Sequence, residues 1–191
     1  MTYKNWYLKI VFYVAKLKER FDYNYIGGNP EVQYEIFKID NDLDTILYES
    51  SIREELTLFK YALDPFPHNP MNKIRMNMAM DMVSANGWLE AVKYLVDRSF
   101  NTREFSNVIN LGLIRASMFG QLEVVKYLVE KGANKFEPTL RMAIQNGNLE
   151  LVKYLVNQGA NVDANVLEMA KNRNTDIFNY LREVYRLAKL T

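Results

Sequence analysis

The clearest pattern in the chain is a block of apolar and polar positions that occurs three times. The blocks start at Gly87, Gly120 and Gly147, and from its third residue each one reads Leu-Glu, two apolar residues and Lys-Tyr-Leu-Val. Apolar residues fall at i, i+3, i+6 and i+7 of this run, which is the spacing of one face of an α-helix. In the middle copy they are Leu122, Val125, Leu128 and Val129. The pattern therefore predicts three repeated amphipathic helices.

The dipeptide Lys-Tyr extends this repetition in both directions. Its copies are Lys60-Tyr61, Lys93-Tyr94, Lys126-Tyr127 and Lys153-Tyr154. Successive copies are 33, 33 and 27 residues apart, and Tyr180 follows the last one after another 26 residues. A period of roughly 20 to 50 residues is the signature of a solenoid built from stacked units.

A shorter helical pattern precedes two of the blocks, at residues 113–119 and 140–146. Each has a small residue at its middle, Ala116 or Ala143, which would let paired helices approach closely. Two blocks end in a Gly and a turn, as helices commonly do. These ends are Gly132-Ala133-Asn134 and Gly159-Ala160-Asn161. Each unit is thus predicted to be a short helix, a tight turn, a longer helix and a stop.

Residues 116–134 resemble the consensus of ankyrin repeats almost throughout. The resemblance is good over about residues 74–181 and weaker over residues 42–63. It implies an all-α fold, an ankyrin-repeat solenoid of about five stacked helix pairs. We expect an irregular N-terminal cap or extension over residues 1–41. The repeat array should occupy residues 42–191, with a degenerate first repeat and a C-terminal capping helix.

Two departures from the family pattern change this expectation. The family's Thr-Pro-Leu-His motif ties the turn to the first helix, but residues 111–114 are Leu-Gly-Leu-Ile and residues 138–141 are Pro-Thr-Leu-Arg. The usual polar network at the turn is therefore not expected. The later repeats are also short, and the missing residues fall between Gly132 and Leu140, so the projecting finger should be clipped. Such short repeats resemble those in ankyrin proteins of giant DNA viruses, which implies a viral origin.

The first 41 residues do not match a repeat. Apolar spacing predicts a helix over residues 3–20, with a hairpin as the alternative because Tyr, Val, Ile and Phe also favour strands. A turn at residues 26–30 and a second helix over residues 31–39 are predicted to follow. We interpret this segment either as an elaborate cap of the array or as a separate effector element.

The end of the array is predicted to be a capping helix. Arg182 occupies the position that Val129 and Val156 hold in the inner copies. Charged residues then alternate with the apolar residues Val184, Leu187 and Leu190; they are Glu183, Arg186 and Lys189. An open stack needs a polar outer surface on its terminal unit, so this helix should have a solvated outer face.

Composition excludes several classes of function. With 49% hydrophobic and 25% charged residues the chain is in the globular range, and its net charge of +1 gives no overall attraction to nucleic acid or anionic membranes. The absence of Cys excludes disulfides, thiolate metal sites and Cys nucleophiles, and the single His68 removes most metal and triad chemistry, so no catalytic, cofactor or metal site is expected. The apolar stretch 6–15 is interrupted by Lys9 and resembles neither a signal peptide nor a membrane span. A cytoplasmic protein that is not secreted is expected.

Charge is unevenly distributed within this near-neutral total. Residues 31–64 contain nine acidic and three basic residues. Six acidic residues form the centre of this stretch: Asp40, Asp42, Asp44, Glu49, Glu54 and Glu55. They form either a solvated face or a docking site for a basic partner. The spacing of the first three resembles a calcium loop, but Thr45 and Ser51 stand where such a loop needs Gly and Glu.

Methionine is concentrated in one short stretch. Its members are Met71, Met76, Met78, Met80 and Met82. The repeat register places Met80 and Val83 on a first helix, which favours core filling. An adaptable Met-lined binding surface is the alternative, because Met repacks against varied partners.

The resemblance implies that the functional surface is the concave face formed by turns and first helices. The positions expected in that groove are Ala85, Asn86, Met118, Phe119, Gln145 and Asn146, with Phe105 and Phe136 in the turns. Met and Phe side by side at the centre have the composition of a binding hot spot. Alternatively, Phe119 or Phe105 folds back between neighbouring repeats.

The expected function is protein binding through this groove without catalysis, by a viral protein that sequesters or inhibits a host factor. The expected partner is a protein, with no nucleic acid, membrane or small-molecule substrate. Two alternatives stay open at this point. One is an enzyme or effector activity in the N-terminal segment, with the repeats as a targeting arm. The other is a self-assembling scaffold.

Overall fold

The computed structural model describes residues 44–48, 50–54, 56–63, 71–100 and 104–189. The predictions for residues 1–41 and for His68 lie outside these ranges, as do those for Asp42, Glu49 and Glu55. The chain divides into two compact units, Met1–Arg75 and Met76–Thr191. A domain boundary after residue 41 stays a prediction.

Regular structure in the described ranges is helical throughout. Residues 44–48 and 50–53 are helical, and nine further helices follow in the described part. They are α1 (Leu56–Leu63), α2 (Met71–Asn86), α3 (Leu89–Ser99), α4 (Phe105–Met118), α5 (Leu122–Glu130), α6 (Phe136–Gln145), α7 (Leu149–Asn157), α8 (Ala164–Lys171) and α9 (Thr175–Ala188). The all-α class predicted from the repeats is confirmed.

Helices of the second unit form antiparallel pairs that stack in chain order. Contacts join α4 to α5, α6 to α7 and α8 to α9, and a tight turn joins α2 to α3. Among the first helices, α4 contacts α6 and α6 contacts α8. Among the second helices, α3 contacts α5 and α7 contacts α9. This is the layered arrangement of an ankyrin-repeat solenoid.

The core of each layer consists of small and aliphatic residues. Ala116 and Ala143 are fully buried, as the sequence predicted. The closest approach is at Gly112 of α4, where a Cβ atom would lie 2.8 Å from Met80 Sδ and 2.9 Å from Ser84 Oγ. Glycine is therefore required there by the packing of α2 against α4.

Two predicted details were wrong. The first helices are longer than predicted: α4 begins at Phe105 and α6 at Phe136. In α4 the buried face continues toward the start through Val108 and Ile109, and in α6 it continues through Thr139. In α5 the fully buried residues include Val124, whereas Leu122 is only half-buried. A second helix contacts its own first helix and second helices of other layers, so it buries a broader stripe.

The unit Met1–Arg75 contains a buried ion pair. The Arg75 side chain is 0% exposed, and its Nε donates to Asp44 Oδ1 at 2.8 Å. Asp44 is therefore engaged in an internal ion pair and is not a free member of the acidic stretch. Glu54 is exposed.

The last helix has the polar outer face expected of a cap. Ile177 and Leu181 are its buried residues, and Arg182 and Glu183 are exposed. Leu187 is also exposed, although Val184 is half-buried. The apolar face of α9 therefore narrows toward its end, where no later helix of the described chain covers it.

The ends of the second helices have the Schellman geometry. After α5, Gly132 N donates to Val129 O at 2.9 Å and Ala133 N donates to Leu128 O at 3.0 Å. Gly159 and Ala160 repeat both bonds after α7. Gly132 has φ +96°, and a Cβ there would meet nothing within 4 Å. Backbone conformation alone therefore requires glycine at this position.

We expect Gly132→Ala to lower the free energy of unfolding by about 1 kcal/mol, because an L residue is strained at positive φ. Gly132→Asn should lose less, since Asn tolerates this region better than Ala. Denaturant titration of both variants measures the difference. Equal stability of Gly132→Ala and the wild type would show that the turn relaxes to another conformation.

A buried amide holds the turn between the second and third layers. Asn110 Oδ1 accepts from the backbone N–H groups of Asn134 at 2.9 Å and of Lys135 at 3.0 Å. Its Nδ2 donates to Ser106 O at 2.8 Å. These bonds join α4 to the turn that precedes α6. Asn110 thus connects the turn to the first helix by polar contacts, although the Thr-Pro-Leu-His motif that makes this connection in the family is missing here.

Asn110→Ala should cost about 1–3 kcal/mol of stability, because two turn N–H groups lose their acceptor. Asn107→Ala is the matched control, since within the described ranges the exposed Asn107 amide donates only to Glu104, at 3.3 Å. Its removal should change stability by less than about 0.5 kcal/mol. Equal losses for the two variants in chemical denaturation would contradict the role given to Asn110.

The repeated Lys-Tyr dipeptide forms a ladder between layers. Lys93 Nζ lies 5.7 Å from the ring centroid of Tyr127, and Lys153 Nζ lies 5.8 Å from that of Tyr180. Each is within cation–π range. In these two cases the Lys of one layer lies over the Tyr of the next, whereas Lys126 of the middle copy is paired with Glu123 of its own helix.

Burial, and at two positions a nearby acidic residue as well, raises the pKa of the tyrosines in these layers. Burial and then the nearby Asp97 raise the pKa of Tyr127. Burial and Glu130 also raise the pKa of Tyr154, and Lys126 partly offsets this. Burial alone raises the pKa of Tyr180. The array therefore favours the neutral phenol at all three positions.

A raised pKa in the folded state stabilises the fold below the usual tyrosine pKa, and this contribution is lost as pH rises through the raised value. We expect wild-type stability to fall between about pH 9 and about pH 11. A Tyr127→Phe/Tyr154→Phe/Tyr180→Phe variant should lose less over this range, because its rings cannot ionise. Denaturant titrations at both pH values measure this, and parallel losses would show that the phenols do not contribute.

Candidate functional site

The solvent-facing sides of the first helices form one continuous surface in the second unit. We call this surface the first-helix face. It comprises the exposed and half-buried residues of α2 from Met76, α4, α6 and α8, with the turns that follow them. Buried residues of the same helices face the second helices and neighbouring layers.

Methionine is prominent on the first-helix face. Six of the nine methionines of the chain lie on it, in all four first helices: Met76, Met78, Met82, Met118, Met142 and Met169. Met80 is fully buried, as the core interpretation predicted. Met78 is 42% exposed, so the same short stretch also contributes to the surface. Flexible, polarizable side chains suit a surface that adapts to a partner.

Met118 and Phe119 form the most exposed apolar part of this surface. Met118 ends α4 and is 41% exposed, and Phe119 follows it and is 56% exposed. Phe119 therefore does not fold back between neighbouring repeats. Large apolar side chains exposed side by side at a turn are the expected anchors of a protein interface.

The other predicted positions near the turns flank this pair. Ala85 and Asn86 lie at the end of α2, and Gln145 and Asn146 lie at the end of α6. Ala85 is half-buried, and the other three are exposed. Six of the eight predicted residues thus occupy equivalent turns in three successive layers.

Phe105 and Phe136 do not lie in turns as predicted. Each is half-buried and is the first residue of its helix. Phe105 and Phe119 are at opposite ends of α4, roughly 20 Å apart at 1.5 Å per residue. The Phe105 ring instead packs edge-to-face against Phe100, with centroids 5.4 Å apart. Phe105 and Phe136 therefore lie at the opposite end of the first helices from the turns that hold Phe119 and Asn146.

Hydrogen bonds between layers fix the turns. Gln121 Nε2 donates to Ala85 O at 2.9 Å, and the Asn146 amide donates to Met118 O. A Cβ at Gly87, which has φ +78°, would collide with the Gln121 side chain. The sequence indicated the turn glycines but not these amide bonds, because their partners are 28 and 36 residues away.

Two arginines of the first-helix face, Arg115 and Arg141, were missed by sequence reasoning. Arg115 Nε donates to Asp81 of the preceding layer, and Arg115 Nη1 lies 3.6 Å from Met118 Sδ. Arg141 is half-buried on α6. Among the described residues, no carboxylate lies within ion-pair distance of Arg141, and its side chain makes no hydrogen bond there.

The described residues bring together no set of three His, Asp or Glu side chains that could hold a metal ion. Within the same ranges, no helix is both long and apolar enough to cross a membrane. The arrangement of the first-helix face is suited to binding, with apolar anchors, amides and arginine on a rigid set of helices.

Comparison with known families agrees with this geometry. The model of the family described as ankyrin repeats (3 copies) matches residues 47–139 and 113–187, which together cover most of the chain. No curated protein matches the sequence. Ankyrin repeats are generally modules for protein–protein interaction. On the strength of the family match and the stacked helix pairs, the chain belongs to the ankyrin-repeat family.

Proposed function

We propose that this protein binds another protein through the first-helix face and catalyses no reaction. The observation that carries the proposal is the exposure of Met118 and Phe119 together, at the middle of three equivalent turns. Contiguous exposed apolar side chains that are rimmed by polar residues mark sites of protein interaction. Binding hot spots have this composition and central position.

The rigidity of the surface also supports binding. The Gln121 and Asn146 amides tie each turn to the next, so the anchors are held in place before a partner arrives. A preorganised surface avoids part of the entropy cost of association. The Met side chains around the anchors then adapt to the partner's shape.

We also propose an origin and a location for this protein. The likeness of the short repeats to ankyrin proteins of giant DNA viruses supports a viral protein that sequesters a host factor in the cytoplasm. Zero Cys and one His in the whole sequence support a role without catalysis. Residues 1–41 are proposed to cap the array.

The test is affinity capture from a lysate with the full chain as bait, comparing the wild type with Met118→Ala/Phe119→Ala. Truncating two anchors should weaken a specific partner on the order of a hundredfold and remove it from the captured set. Leu187→Ala is the matched control, because Leu187 is 53% exposed but lies on α9, away from the first-helix face.

Circular dichroism of the three proteins should show equal helix content, since the altered side chains are exposed. A partner that is captured equally by the wild type, the double variant and the control would place the binding surface elsewhere.

A further inference from the structure

The two arginines beside the Met118–Phe119 pair differ in one respect. Arg115 is neutralised by Asp81 within the array, whereas Arg141 has no acidic partner among the described residues. Arg141 is half-buried as a residue and lies on the first-helix face. A guanidinium without a counter-charge is stabilised by a carboxylate that reaches it, through charge-assisted hydrogen bonds.

Arg141 lies close to Met118 and Phe119 in the stack of helices. It is one turn before Gln145, on the same side of α6. Asn146 of α6 is bonded to the Met118 carbonyl, so the ends of α4 and α6 lie side by side. Adjacent helices are about 8–10 Å apart and one turn rises about 5 Å. The backbone of Arg141 is thus roughly 10 Å from that of Met118.

We infer that the segment occupying the first-helix face carries a carboxylate next to a large apolar side chain, and that Arg141 recognises that carboxylate. The inference rests on the proposed function and names the chemistry of its partner. In an extended segment, roughly 10 Å corresponds to about three residues. The partner segment should therefore place Asp or Glu two to four positions from an aromatic or large aliphatic residue.

The experiment selects ligands without assuming a partner. A phage library displaying random 12-residue peptides is panned at low salt against the full-length wild type. Peptides from the selected pool are then synthesised with a fluorophore and titrated against the wild type, Arg141→Gln and Met118→Ala/Phe119→Ala. Arg182→Gln is the matched control, because Arg182 lies over Phe178 on α9 and away from this surface.

We expect the pool to be enriched in peptides with the acidic and apolar spacing given above. Arg141→Gln should bind them about tenfold more weakly, as expected for loss of one charge-assisted hydrogen-bonded contact, and Arg182→Gln should bind them normally. Their affinity for the wild type should fall as salt rises, and that for Arg141→Gln should change less. Arg141→Glu should recover binding when the peptide's acidic residue is replaced by Lys.

Two results would contradict the inference, and they differ in what they say about the proposed function. Selected peptides that lack acidic residues but still require Met118 and Phe119 would overturn the assignment of Arg141 and leave the proposed binding face intact. Peptides whose affinity is unchanged in both the arginine and the double apolar variants, or a pool with no enrichment, would overturn the proposed function as well.

Discussion

The structure depends on stacking, because no helix pair in the array can bury its apolar residues alone. Each pair in the second unit exposes an apolar side that only the next layer can cover, so stability is a sum over neighbouring contacts. Small residues make this close approach possible. Ala116 and Ala143 are fully buried, and a side chain at Gly112 would meet Met80 and Ser84 of the preceding layer.

Stacking also determines where polar groups are found. In the second and third layers a side-chain amide donates a hydrogen bond to a backbone carbonyl of the layer before it. Gln121 donates to the Ala85 carbonyl, and Asn146 donates to the Met118 carbonyl. On the opposite side of the array, Lys93 lies over Tyr127. These contacts favour one register between layers, since a shift would leave the amides unbonded. The same register brings the exposed residues of the first helices into one surface.

Much of the fold could be predicted from the sequence, because each layer repeats the same local signals. The glycines at 87, 120 and 147 and the apolar spacing after them fix the helix pairs without any distant contact. The predicted turn positions Met118 and Phe119 followed from that register. The start of α4 at Phe105 did not, because the residues before Leu113 lack the family motif.

Contacts between layers could not be predicted, since they depend on how far each helix is offset from the next. The Lys-Tyr dipeptide was recognised as a repeat, but its ladder needs the side chains of adjacent layers in three dimensions. The same holds for Asn110, whose Oδ1 accepts from backbone N–H donors that lie 24 and 25 residues later. Arg115 and Arg141 look alike in the sequence, and only the position of Asp81 distinguishes them.

The central claim is that the first-helix face contacts a protein partner. Site-specific photocrosslinking tests it most directly, with a photoreactive amino acid placed at Phe119 and, in a second protein, at Lys126 on the opposite side of the array. We expect a crosslinked partner from position 119 and none from position 126. Crosslinking from position 126 alone would contradict it.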